Sequence, residues 1–318
     1  MRHHRKLIIF CLILFVIVAV GSVVYYRIAR PARAVLLLPE GNFLLYVNFS
    51  PAHFFDLGPM PAAESEPDYQ DFVQNTGFHF EHDLDTIAVS LRNPEDNDPE
   101  SSAVFNGKFD QARLTSYLQR RSSATEKYAG KDIFVLHQAN HLVRACLLDS
   151  STVAVTNMQS PEPMHTIIDK SRNSGLIGKG PSLIENYHRY VPFGSLAWAM
   201  FRSSGKKAQL EGWDMDFLQN SVSIASVRYT GSIRLKLEIF SDTAADAQQV
   251  LKSANIFLVM VRGAAENLGQ SGSDKDVKAA FDSVQVQQND KRTQITATIP
   301  QGFVKKIGST GSIGPSSR

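Results

Sequence analysis

The sequence predicts an α+β fold: an N-terminal transmembrane helix followed by two tandem, duplicated subdomains of mainly antiparallel sheet with packed helices. Three observations predict it. Residues 7–26, LIIFCLILFVIVAVGSVVYY, hold no charged side chain. The rest of the chain alternates short runs rich in Val, Ile, Leu, Phe and Thr with stretches whose apolar residues recur at helical spacing. One order of pieces also occurs twice, marked by DFVQN at 71–75 and DFLQN at 216–220.

The apolar run comes first. At about 1.5 Å of rise per residue, a helix over Leu7–Tyr26 reaches about 30 Å, enough to cross the hydrocarbon core of a bilayer. Tyr25 and Tyr26 close it where amphipathic rings prefer the headgroup level, and Arg27 follows at once. Arg2, Arg5 and Lys6 before the run balance Arg27, Arg30 and Arg33 after it, so counting positive charges does not set the orientation. A basic n-region ahead of an apolar h-region is what export machinery reads. Residues 1–6 are therefore expected in the cytoplasm, the lipid bilayer is a partner through residues Leu7 to Tyr26, and the bulk of the chain is extracytoplasmic. In a two-membrane bacterium that is the periplasmic side of the inner membrane. Ala19 and Gly21 offer signal peptidase an A-x-G site. Continuation of the run through Val23, Val24 and two tyrosines favours an uncleaved signal-anchor.

Five of the 33 Lys and Arg residues (Arg2, Arg5, Lys6, Arg27, Arg30) flank the run and none of the 31 Asp and Glu does. The whole-chain charge of +2 therefore becomes −3 for residues 31–318. No clustered basic stripe remains to suggest nucleic acid as a partner. Of the two cysteines, Cys11 lies in the apolar run, which leaves Cys146 without an intramolecular partner. A lone Cys within HLVRACLLD reads as a small buried hydrophobe.

The repeat sets the domain boundaries, 34–174 for a first subdomain and 182–307 for a second. LLYVNF before DFVQN corresponds to LAWAMF before DFLQN; afterwards TIAVSL parallels IASVRY, and SSAVFNGKFD parallels SIRLKLEIFSD. A helix follows Asp110 in one half and Asp242 in the other. IFVLHQ, LVRACLL and TVAVTN then answer to DSVQVQ and TQITATI, with one strand missing or replaced in the second half. In the helix after Asp242, Val250, Leu251, Ala254, Leu258, Val261, Ala265 and Leu268 form an apolar face that should lie across a sheet, and Asp242 or Thr243 should cap its start. Asn289 and Asp290 mark a hairpin tip. Residues 51–69, with four prolines, read as a loop; residues 171–181 read as the subdomain boundary and 308–318 as a disordered tail.

No motif carries chemistry. His79, Glu81, His82, Asp83 and Asp85 in HFEHDLD are the densest group of metal-ligand types, with His79, His82 and Asp83 the candidate ligands, yet the i, i+4 pairing that makes H-E-x-x-H specific is missing. His137 and His141 flank a hairpin tip without a third ligand beside them. GLIGKGPS at 175–182 departs from a phosphate loop in spacing and in the Gly after Lys179. Ser203 to Lys206 fits S-x-x-K without the partner motifs of penicillin-recognising enzymes. Glu211, Asp214 and Asp216 lack the rigid cleft that glycoside hydrolysis needs, and Trp198 and Trp213 read as packing residues. No catalytic residue and no cofactor is assigned.

The order of an N-terminal span, LLLPEGNFLLYVNFS, YQDFVQNTGFHFEHDLDTIAVSL and FNGKFDQARLTSYL resembles a loose group of uncharacterised bacterial membrane-anchored extracytoplasmic α+β proteins. The resemblance covers about half the chain. It implies an envelope location and an α+β fold and supplies no activity; His79 and His82 stand where that pattern commonly has Asp and Arg. The function expected is a non-enzymatic binding or structural module of the envelope, taking a protein or lipid partner through a sheet face or groove. The alternatives are an envelope hydrolase with a metal site formed only in three dimensions, and an assembly factor or chaperone.

Overall fold

A computed structural model describes residues 31–50, 67–93, 99–138, 141–173, 180–203, 209–210, 213–214, 221–268 and 275–300. The chain divides after Arg33, and the fold is that of the unit from Ala34 onward. Its elements run α1 (Arg33–Leu37), β1 (Phe43–Asn48), α2 (Pro67–Thr76), α3 (Phe80–Asp83), β2 (Leu84–Arg92), β3 (Glu100–Gly107), α4 (Gln111–Arg121), β4 (Ala124–Tyr128), β5 (Lys131–Gln138), β6 (His141–Asp149) and β7 (Thr152–Thr156). They continue with α5 (Glu162–Arg172), α6 (Ser182–Tyr187), a 3-10 turn (His188–Tyr190), β8 (Ser195–Arg202), a two-residue pair β9 (Gln209–Leu210) and β10 (Trp213–Asp214), and β11 (Val222–Tyr229). β12 (Ile233–Phe240), α7 (Ala244–Leu268), α8 (Lys275–Asp282), β13 (Gln285–Asn289) and β14 (Arg292–Ile299) complete the chain.

Twelve of these strands form a single sheet, in the order β13-β14-β12-β11-β8-β1-β2-β3-β7-β6-β5-β4. Every neighbouring pair within it is antiparallel. This corrects the fold class expected from the sequence. The two halves are not tandem subdomains with separate sheets, because β1 and β8 pair from Phe43↔Phe201 to Val47↔Ala197 and carry the ladder across the expected boundary. The matched runs LLYVNF and LAWAMF are thus hydrogen-bonded neighbours at the centre, and the strands matched beyond them lie outward on either side. No helix among the described residues is long and apolar enough to cross a membrane; the run Leu7–Tyr26 and the tail 308–318 lie outside those residues.

Local chemistry explains the element ends. Asp110 accepts a bond from the Arg113 amide (3.0 Å) and caps α4. Thr243 Oγ1 accepts from the Asp246 amide (3.1 Å) while Asp246 returns a bond from the Thr243 amide (3.2 Å), a reciprocal cap at the start of α7. Asp290, with φ of 52°, forms the tip between β13 and β14. Pro67 opens α2 inside the stretch expected to be loop; its missing N–H is one that a helix start leaves unpaired anyway.

Side-chain alternation gives the sheet two faces. On one, α4 packs Leu114 and Leu118 onto Phe134, Ala145 and Val153, and α7 packs Val250 onto Ile239 with Phe201, Leu237 and Ile295 around it. Arg113 donates from Nε to Asn75 O (3.1 Å) and from Nη2 to Gln74 O (2.9 Å), tying α4 to the end of α2. On the other face lie α5, whose His165 stacks on Tyr128 (3.7 Å between centroids), and the α6 segment, whose Tyr187 and Tyr190 meet Phe240 (5.2 and 4.6 Å).

Candidate functional site

Between α4 and α7 the four central strands present an apolar band. Register aligns Val89, Leu45, Ala199 and Ala225 in one row across β2, β1, β8 and β11, and Ile87, Val47, Ala197 and Val227 in the next. All eight are only half-buried. These side chains carry no charge and no hydrogen-bonding group, so the band favours contact with apolar matter over water.

A second apolar surface is sharper. Ala247, Val250 and Ala254 are the buried side of α7. At 100° per residue, Ile256, Val259 and Met260 lie on roughly the opposite side, and they are 62%, 69% and 51% exposed. Four of the five exposed large hydrophobics among the described residues belong to this one helix, with Phe257 the fourth. A helix that served only to cover the sheet would put polar residues outward. The segment NIFLVMV was legible in the sequence, but only its inward face was assigned there.

On the opposite face of β12 and β14, Glu238 is fully buried and sits between Lys236 Nζ (2.9 Å) and Arg292 Nη1 (3.1 Å). Arg292 in turn lies over the Tyr190 ring at 5.7 Å. Its Oε1 accepts from Arg292 while its Oε2 faces Lys236 without a hydrogen bond, so the group is a charge-paired structural carboxylate.

The structure places the candidate metal ligands apart in role. His79 precedes the short α3, and its amide donates to Asp83 Oδ2 (2.8 Å). Glu81 accepts from the Tyr69 hydroxyl (2.7 Å), and His82 lies within α3. Asp85 belongs to β2. Phe78, buried, and Phe80 meet edge to face (5.3 Å), and Phe78 stacks on Phe109 (4.5 Å), so HFEHDLD is anchored through Phe80 and the Phe78 that precedes it. Among the described residues, no group of three or more His, Cys, Asp or Glu is placed to hold a metal. His137 Nδ1 lies 2.9 Å from Ser123 Oγ; His141 opens β6 opposite Gln138. In the stretch that superficially resembles a phosphate loop, Ser182 donates its amide (3.0 Å) and hydroxyl (3.0 Å) to the Glu40 carboxylate, which takes the position an anion would seek. Residues 174–179, Lys206, Glu211 and Asp216 lie outside the described residues, as do the side chains of Trp213 and Asp214. Trp198 is buried and stacks on Tyr46 (5.6 Å).

Burial pushes the Cys146 thiol up to about 11. Its side chain is fully enclosed between β5 and β7. The thiolate is the reactive form, so the folded protein should resist a thiol reagent at pH 8 and react within seconds once unfolded in guanidinium. Rapid labelling of the native chain, with Cys11 replaced by Ser, would contradict this. The folded state also holds the proton that an unfolded thiol loses near pH 9, so this group's contribution to stability falls as pH climbs from 9 to 11. Burial likewise pushes Lys170 down, although Glu40 and Glu185 oppose it; its ammonium donates to Leu38 O at 2.7 Å.

No family model and no curated protein matches the chain. Among solved structures, crystal form IV of TP0453 superposes with a TM-score of 0.50 at 10% identity, covering 88% of this chain and 96% of that one. Crystal form III of TP0453 gives 0.49 at 10% identity, with 88% and 99% covered. Crystal form I gives 0.48 at 11%, with 89% and 98% covered. At such identity the likeness is one of fold alone.

Proposed function

We propose that the protein is a non-enzymatic binding module of the bacterial envelope, held at the bilayer through Leu7 to Tyr26 with its body outside the cytoplasm, and that it engages an apolar groove of a partner protein through α7. The outward stripe of Ile256, Val259 and Met260 supports this most directly. With Gly263, also exposed, these residues stand at the i, i+3, i+4 and i+7 positions by which a helix seats in a hydrophobic groove.

Burying a side chain of this size contributes about 1.5–3 kcal/mol. Ile256→Lys with Val259→Lys should therefore weaken the complex by about 100-fold or more. A photo-crosslinking residue at the exposed Asn255, in the full chain in native membranes, should give one discrete protein adduct that the double variant abolishes, while the unfolding midpoint stays unchanged. Adducts with lipid alone, or a protein adduct indifferent to the two lysines, would sink the proposal.

A further inference from the structure

The turn between the 3-10 segment and β8 displays a bare aromatic ring. Phe193 is 71% exposed, the highest value among the large hydrophobics of the described residues. The turn is not loose. Pro192 O accepts from both the Ser195 hydroxyl (2.6 Å) and the Ser195 amide (3.3 Å), and Gly194 takes the left-handed φ of 73° that a side chain would strain. A ring held outward by a built turn meets no partner among the described residues.

Two arginines lie near it. Two residues on, Ser195 pairs with Arg228 of β11, and Arg228 pairs directly with Arg234 of β12. Directly opposite side chains in an antiparallel pair sit about 5 Å apart on one face, where like charges repel. Neither guanidinium has an ion pair or hydrogen bond to another described residue. Arg234 is exposed and Arg228 half-buried. Lys236 follows on the same face, and the one carboxylate there, Glu238, already holds Lys236 and Arg292. This end of the sheet is a cationic pair beside a projecting aromatic, in a body that is negative overall.

We infer that Phe193, Arg228 and Arg234 form a contact with an anionic lipid surface: the ring enters the headgroup level and the two guanidinium groups meet lipid phosphates. The inference rests on the proposed bilayer tether. Charge complementarity selects the occupant, because two guanidinium groups set side by side are matched by an anion. Each arginine at such a surface favours the docked state several-fold, the pair by about 30-fold. Salt should undo the gain, since the Debye length is about 4 Å or less at 0.5 M or more.

The test uses the full chain carrying Phe193→Trp, reconstituted in vesicles of phosphatidylcholine alone or with a third phosphatidylglycerol, each with and without brominated acyl chains. The parent chain supplies the background from Trp198 and Trp213. The expected result is bromine quenching of the indole at position 193 in anionic vesicles. That quenching should be lost in neutral vesicles, in 0.5 M salt, and after Arg228→Ser with Arg234→Ser. No quenching in anionic vesicles that carry the chain on flotation would overturn the inference and leave the tether standing. A chain that fails to float with either vesicle would overturn both. Equal quenching in neutral vesicles, or a shift of the indole emission by inorganic phosphate alone that the arginine variant removes, would also overturn it, the latter by assigning the pair to a free anion.

Discussion

Replacing Leu44 with Ala is expected to destabilise the whole body by about 3 kcal/mol, in one transition. Leu44 is fully buried, and its partner across the central seam, Met200, is equally so. Removing a buried leucine side chain costs about 2–5 kcal/mol, with the upper values where neighbours cannot close the cavity. Here they are strands held on both sides, β2 at Ser90 and β8 at Met200. Because β1 and β8 join the halves into one ladder, the loss should reach both. Urea unfolding of the full chain in mild detergent, followed by far-UV circular dichroism and by tryptophan fluorescence, should give coincident curves that shift together. Buried Trp198 lies on the seam. Two resolved transitions, only one of them moved by the substitution, would show that the halves unfold independently and that the seam is not cooperative.

That seam is also where the sequence was least informative. β1 and β8 were each read as strands from their matching places in the repeat, so their likeness to one another was visible. Alternation, however, reports which residues share a face and nothing about which strand lies alongside. A partner about 150 residues away in the chain leaves no local mark. Grouping strands by proximity therefore divided a continuous sheet in two. Short-range features fared better: the helix after Asp110, the cap by Thr243 at the start of α7 and the turn at Asp290 all rest on contacts that span a few residues. β4 escaped notice because it is an edge strand whose five residues, ATEKY, are mostly exposed and carry the charges that discourage further pairing. The apolar stripe on the outside of α7 was present in the sequence. It was overlooked because a helix with two apolar sides gives only a modest directional signal, and the inward side accounted for the helix. Phe193 could not have been found at all, since one aromatic in VPFGS reads equally well as packed or exposed.

The second large effect is expected at Arg144, where substitution by Ala should cost about 3–5 kcal/mol. The side chain is 6% exposed. Its Nη1 donates to the carbonyls of Met158 (3.0 Å) and Gln159 (3.1 Å), and its Nε to Glu126 Oε2 (3.2 Å). One guanidinium thus fastens three parts of the sheet's far end: β6, which carries it, the edge strand β4, and the turn that leads into α5. Ala leaves two carbonyls and a carboxylate with no donor in their place, and an orphaned polar group under cover is more costly than a contact forgone. Glu126 is 38% exposed and can turn to water, so Glu126→Ala should cost less, about 1 kcal/mol after allowance for screening. Lys at 144 keeps the charge, but a single ammonium cannot reproduce the fork that spans carbonyls and carboxylate together, and its loss should fall between the two. Urea midpoints for the three variants should therefore rank Ala at 144 lowest, Lys at 144 next and Ala at 126 nearest the parent. If Ala at 144 stayed within 1 kcal/mol of the parent, the α5 turn would be held by the burial of Met164, Ile167 and Ile168 alone, and the guanidinium would be a passenger in the packing.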